Sequence, residues 1–470
     1  MEFHVVEEEP AQGGGARLED LATEPLLTRD YETRPALVYE RLRERHGPVA
    51  PVDLLGVPAW LVLGYRESLQ VLHDDAGWPK GLENWRARSE GRVPADWPLA
   101  PSLEVNHVLI QGGSGHRALR TAWDAALRPF QDPRQPQAKR LRAAVTTYAD
   151  DLITLLAQGG GTGLADLSAQ FSRPLPLMAA SHLLGFPGSQ ADDALMDMWR
   201  VLDAGPDAEP ALARLLETLT ELAAAKKEQP GDDFPSLLLA AHPDLSVDEL
   251  ARELFMLLGM TSDHVGILIS NTVVEVISGE REGGVRTVLS AGMVRETMNR
   301  VVMRKPPLVN FVPRFAAADM PLGNYTIRAG DPVWVSSAAA HADPVFAGQT
   351  APGSSTISSR AHLSWGAGPR QCPARELAST IASAGVSRVF ERFAHLELAL
   401  PVDQLPWRSS PFMRGLRSLP VRYELAAQTA RYVPAAPPEA AAPVADVADQ
   451  AIRRRSSLWR YLAGLIRPGG

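Results

Sequence analysis

The chain predicts a predominantly helical α+β domain, and three observations carry that prediction. Helical apolar spacing dominates from about Gly115 onward. One such pattern, opened by Ser246-Val247-Asp248-Glu249, continues to about Ile277, unusually far for a globular protein. Strand-like runs are short and scattered, so the sheets are small.

The elements follow in chain order. Residues 1–30 read as a flexible leader; its first 17 residues are acidic and glycine-rich without an apolar run, so neither a signal peptide nor a membrane anchor is expected. Residues 35–46 have the spacing of a short helix. Residues 49–65 alternate β-branched and apolar side chains around Gly56-Val57-Pro58, which predicts a hairpin. Helices are expected over 135–158, 178–186 and 210–227, and then along the capped segment from Ser246. Short strands are expected at 308–315, 325–328 and 332–336, with closing strands at 396–400 and 419–424. Together, residues 31–425 read as one domain. Residues 426–450 are rich in alanine and proline, the composition of an extended linker. Residues 451–470 form a basic tail in which Leu458, Trp459, Tyr461, Leu462, Leu465 and Ile466 share one helical face. Such a face can lie on an anionic membrane surface or dock on a protein partner.

Composition narrows the functional classes. Of 470 residues, 45% are hydrophobic, ample for a large core. The net charge of −8 argues against a general nucleic-acid binder. A single cysteine excludes an intrachain disulfide and suits a reducing, cytoplasmic compartment.

That cysteine, Cys372, sits in Trp365-Gly366-Ala367-Gly368-Pro369-Arg370-Gln371-Cys372-Pro373-Ala374, just before an apolar helix over 374–390. Gly366 and Gly368 permit positive φ and a close backbone approach. A helix N-terminus and Arg370 are expected to favour the anionic thiolate, a soft metal ligand. The stretch resembles the haem-ligand loop of the cytochromes P-450, with Trp365 in place of the usual phenylalanine and Ala374 in place of the last glycine. The resemblance spans roughly residues 30–425 and implies a cytochrome P-450 fold with a long central helix.

It also implies haem b held through Cys372, with Trp365, Gly366 and Gly368 shaping the loop. His116 and Arg120, four apart on one helical face, resemble the basic pair that binds haem propionates. Arg314, in Asn310-Phe311-Val312-Pro313-Arg314, and Arg370 complete that set, arginine being suited to carboxylates by its planar fork. Trp123 is expected to pack nearby, and His362 to make a structural hydrogen bond. The implied activity is insertion of one atom of O2 into a small apolar substrate, lined in part by the loop at 78–109. Electrons would come from NAD(P)H through a separate ferredoxin and ferredoxin reductase.

Two departures stand out. The long helix reads Met260-Thr261-Ser262-Asp263-His264-Val265 at the family's oxygen-handling centre. Asp263 matches the acid, but His264 occupies the threonine position. Asp263 and His264, helped by Thr261 or Ser262, are the expected proton-handling residues, and His264 could alternatively ligate iron. The family's Glu-x-x-Arg is also missing: Arg300 and Met303 occupy its two positions, with Glu296 and Arg300 left as an i,i+4 pair. Loss of this motif is similar to an actinobacterial subset found in operons with small-GTPase regulators. The departures raise two further readings, a haem-binding regulatory protein and a peroxide-using haem enzyme.

Overall fold

Helix Val247–Ser278 is the axis around which the other elements pack. Its 32 residues reach about 48 Å at the standard rise. It is apolar nearly all round because helices Pro174–Leu184, Ala208–Glu228, Val294–Arg304 and Arg375–Arg392 cover it. Its composition would suit a membrane span, but most of its apolar stretch is buried in the protein. The predicted capping box closes its start, with Ser246 N donating to Glu249 Oε2 at 2.9 Å and Glu249 N donating to Ser246 Oγ at 3.2 Å.

The computed structural model describes residues 17–186, 190–203, 207–278, 293–347, 361–408 and 410–426. Most of the expected leader before residue 17, and all but Ala426 of the expected linker and tail, lie outside the described residues.

The sheets are small, as expected. A five-stranded sheet runs in the order Glu24–Pro25, Val49–Asp53, Pro58–Val62, Pro332–Val335, Arg314–Phe315. The hairpin predicted around Gly56 is its antiparallel centre, pairing Val49 with Val62 and Asp53 with Pro58. A three-stranded sheet joins Thr162–Asp166, Pro420–Leu425 and Phe393–Leu398, and Met320–Leu322 pairs with Tyr325–Ile327.

Two expectations need correction. Residues 18–30 are not a free leader: Glu24 and Pro25 pair in parallel with Val52 and Asp53, and Leu18 and Leu26 are buried. Burying those leucines fixes a segment whose local composition reads as loop. The strand expected over 308–315 is mostly an irregular connection, with isolated bridges at Leu308 and Asn310 and a true strand only at Arg314–Phe315. Pro313 lacks a ladder donor, and this irregular stretch lines the central cavity.

Candidate cofactor and substrate site

A cavity of about 350 Å³ lies between the long helix and the loop that carries Cys372. Its wall is largely apolar, with Leu257, Val265, Leu268, Phe311 and Phe412 among its side chains.

The cysteine loop is held by backbone geometry. Gly366 and Gly368 adopt φ of 72° and 67°. A Cβ at Gly368 would stand 2.5 Å from the carbonyl oxygen of Leu72, so the close approach here is to the end of helix Tyr65–His73. Gly366 N donates to Leu363 O and Cys372 N to Trp365 O, each at 2.7 Å. Helix Arg375–Arg392 starts three residues after the sulfur. Cys372 is half-buried and lines the cavity. Burial pushes its thiol up, opposed by the Ala374 amide and by the charges of Arg120 and Arg375. The expected assistance from Arg370 is therefore corrected, since its guanidinium is engaged elsewhere.

Arg370 forks onto Asp75 and donates from Nη2 to Gln111 O at 2.8 Å. Arg314 donates from Nη1 to Asp75 Oδ1 at 2.8 Å and to Trp78 O at 3.0 Å. Burial pushes the Asp75 carboxyl up, but the two guanidiniums outweigh it and hold the group below the usual range. Burial lowers Arg314 to about 10. Lys80, also buried, gives one bond to Val312 O at 3.3 Å; burial and then the repulsion of Arg314 and Arg370 push its amine well down. Arg120 is bound to Asp124 at 3.2 Å. His116 lines the cavity too, but burial followed by Arg370 lowers it to about 4. In the cofactor-free chain this favours the neutral ring, which offers a hydrogen bond.

These residues fit a dianionic, thiolate-bound cofactor such as haem. Lys80, Arg120, Arg314 and Arg370 all line the cavity, and their close acids are Asp75 and Asp124. The three guanidiniums outnumber those acids by one, and Lys80, its amine pushed down, adds a hydrogen-bond donor suited to a carboxylate. Arg370 Nη1 is buried without a hydrogen-bond partner, an orphan donor that such a carboxylate would satisfy. Cys372 is a single soft donor on the cavity wall, which suits a metal that brings its other donors.

On the long helix, Thr261 and His264 face the cavity. Both ring nitrogens of His264 are buried without a well-formed hydrogen bond; burial lowers the imidazole, opposed by the Asp263 charge and the Met260 carbonyl. Ser262 instead donates to Leu258 O at 2.5 Å. Asp263 is a correction to the expected proton-handling set. It is absent from the cavity wall and is paired with Arg408, Nη1 to Oδ1, at 2.8 Å. Helical geometry turns consecutive side chains about 100° apart, so Asp263 and His264 cannot share a face.

Behind the cysteine loop, a hydrogen-bond network occupies the region of the missing Glu-x-x-Arg. His362 Nε2 meets Asn299 Oδ1 at 3.0 Å, the structural bond expected of this histidine. His341 Nδ1 meets Met303 O at 2.8 Å, while its Nε2 accepts from Leu363 N at 2.7 Å. Burial lowers His341 to about 3, consistent with a neutral ring. Ser364 Oγ donates to Val302 O. Three consecutive residues, 362–364, are thus tied into this network.

Sequence reading missed Asp75 and Lys80 because each lies in a segment without periodicity. The tryptophan-proline pair before Lys80 marks a turn, but nothing local shows that it bends the lysine inward. Asn299 and His341 were equally silent, since their partners lie far along the chain.

Comparisons with known proteins agree with this fold. The family model described as "Cytochrome P450" matches residues 300–420. Cytochrome P-450 107B1 of Saccharopolyspora erythraea is 31% identical over 417 residues, covering 86% of this chain and 97% of that protein. The 2-hydroxy-5-methyl-1-naphthoate 7-hydroxylase of Streptomyces carzinostaticus is 27% identical over 391 residues, covering 81% and 93%. Among solved structures, CYP154A1 from Streptomyces coelicolor A3(2) superposes with a TM-score of 0.71 at 28% identity, covering 83% of this chain and 97% of that one.

Proposed function

The chain belongs to the cytochrome P-450 family and is a haem-thiolate monooxygenase, and from that premise we propose how its own residues serve the reaction. The observation that carries the reading is one cavity that presents Cys372 on one wall, guanidiniums at its edge, and Thr261 with His264 on the long helix. Haem, when bound, supplies O2 activation and the transfer of one oxygen atom to substrate. Cys372 would hold its iron through the thiolate. Arg120, Arg314 and Arg370 would hold its carboxylates by charge, and Lys80 and His116 by hydrogen bonds.

His264 replaces the usual alcohol as the distal proton donor or acceptor, with Thr261 one turn before it on the same face. A neutral imidazole can accept at one nitrogen and donate at the other, so it can pass a proton without remaining charged. The position of His264 on the cavity wall, with no well-formed hydrogen bond to either ring nitrogen, supports the second reading, ligation of iron by His264. Asp263, tied to Arg408, stands off the cavity wall behind this pair.

The substrate is small and apolar, a reading supported by the apolar wall and by a relative named for hydroxylating a naphthoate. Electrons come from NAD(P)H through a separate ferredoxin and its reductase, in the cytoplasm. The expected tail contact with a membrane or protein lies outside the described residues.

The test is a reduced carbon monoxide difference spectrum of the wild type and Cys372→Ala, followed by NADPH-driven turnover of apolar compounds with ferredoxin and reductase. A thiolate-type band lost in Cys372→Ala and substrate-dependent product are expected. A wild-type spectrum indifferent to Cys372, or turnover supported only by peroxide, overturns the assignment.

A further inference from the structure

Glu253 is a buried carboxylate outside the cofactor site, only 1% exposed. It projects from the long helix toward the turn that precedes helix Gly113–Gln131. Its Oε1 accepts from Val108 N at 3.1 Å, and its Oε2 accepts from Val108 N at 3.3 Å and from Trp123 Nε1 at 2.9 Å. The adjacent Arg252 Nε donates to Asn106 O at 3.1 Å. At the other end of this turn, Gln111 O accepts from Arg370. Val108, Leu109 and Trp123 all line the cavity.

We propose that Glu253 is a positioning residue that clamps the turn at 106–111 and the indole of Trp123 over the substrate cavity, and so sets how readily an apolar ligand passes this wall. Both partners are donors only, so the clamp needs a side chain that accepts from both and presents no donor to either. A carboxylate provides that; an amide provides one oxygen and turns an N–H against a donor. Burial of a charge for a packing role alone is poorly compensated, since an apolar side chain would fill the same space at less cost. Retaining it buys a fixed backbone at Val108, directly beside the cavity. Arg370 couples the same turn to the cysteine loop, so the turn is held at the cofactor edge and at the long helix together.

This inference rests on the cavity being the substrate chamber, but its test does not require turnover. Glu253→Gln and Glu253→Leu are prepared as haem-loaded protein beside the wild type. Hydrogen–deuterium exchange is read on peptides covering 106–112, and stopped-flow absorbance follows binding of 4-phenylimidazole to the ferric protein. Exchange at the turn is expected to rise tenfold or more in Glu253→Leu and by less in Glu253→Gln, which keeps one acceptor. Association of 4-phenylimidazole is expected to quicken several-fold in the same order, with the thiolate spectrum unchanged. Unchanged exchange in both variants overturns the clamp, as does faster exchange with unaltered ligand association. If Glu253→Leu does not fold, Glu253→Gln decides alone. A chain that oxidises nothing would still give both readouts, so failure of the monooxygenase reading and failure of the clamp are separable.

Discussion

Arg370 and Asp75 form a two-point ion pair across 295 residues of chain, with Nη2 to Oδ2 at 3.1 Å as its second bond. The pair anchors the cysteine loop to the segment after helix Tyr65–His73, and Arg314 shares the same carboxylate. One acid thus keeps two buried guanidiniums in place beside the cavity.

Asp75→Asn is expected to lower the stability of the cofactor-free protein by about 2 kcal/mol at pH 7, less than for a fully buried pair because Asp75 retains some solvent contact. The folded carboxyl is held below its unfolded value, so its contribution is present above pH ~4 and lost as pH falls further. Urea unfolding of wild type and variant from pH 3 to 8 should show the difference closing at the acid end.

His264→Leu should do the opposite to the cofactor-free chain. Burying two ring nitrogens without well-formed hydrogen bonds costs free energy, so an apolar replacement is expected to stabilise by about 1 kcal/mol. In the haem-loaded protein the same change should alter the ferric absorption spectrum or the peroxide reactivity. Unaltered spectrum and reactivity would remove both roles assigned to His264.

Asn299→Leu removes the partner of His362 and leaves a buried imidazole without that bond. A loss of about 1–3 kcal/mol is expected, together with easier haem release, because His362 lies three residues before Trp365. Haem transfer to apomyoglobin measures the second effect.

Glu253 links the cavity turn to pH. Burial, opposed by Trp123, Val108 and Arg252 and reinforced by Glu249, raises the carboxyl to about 7. The nearby His107, lowered to about 4, remains neutral through this range. A carboxyl raised on folding contributes stability that is full below its unfolded pKa and is lost as pH rises through 7. The stability of wild type minus that of Glu253→Gln should therefore shift in favour of wild type by up to about 3 kcal/mol as pH falls from 8 to 4.5. Denaturation midpoints of the two proteins at matched pH check the trend.

Some of this was legible from residue order alone. Periodicity and the capping box at Ser246 located the long helix, and the glycines around Cys372 located the ligand loop, because both signals are local. The basic residues at 116, 120, 314 and 370 were found through motif resemblance, and the cavity gathers them. What the sequence could not determine was which neighbours each charge meets. Asp75 with Arg370, Lys80 with Val312, and Glu253 with Val108 are contacts between distant segments. Their protonation follows from burial, which exists only after packing. The split between Asp263 and His264 has the same origin: adjacent residues on one helix look in different directions, and only the surrounding fold decides which of those directions contains a cavity.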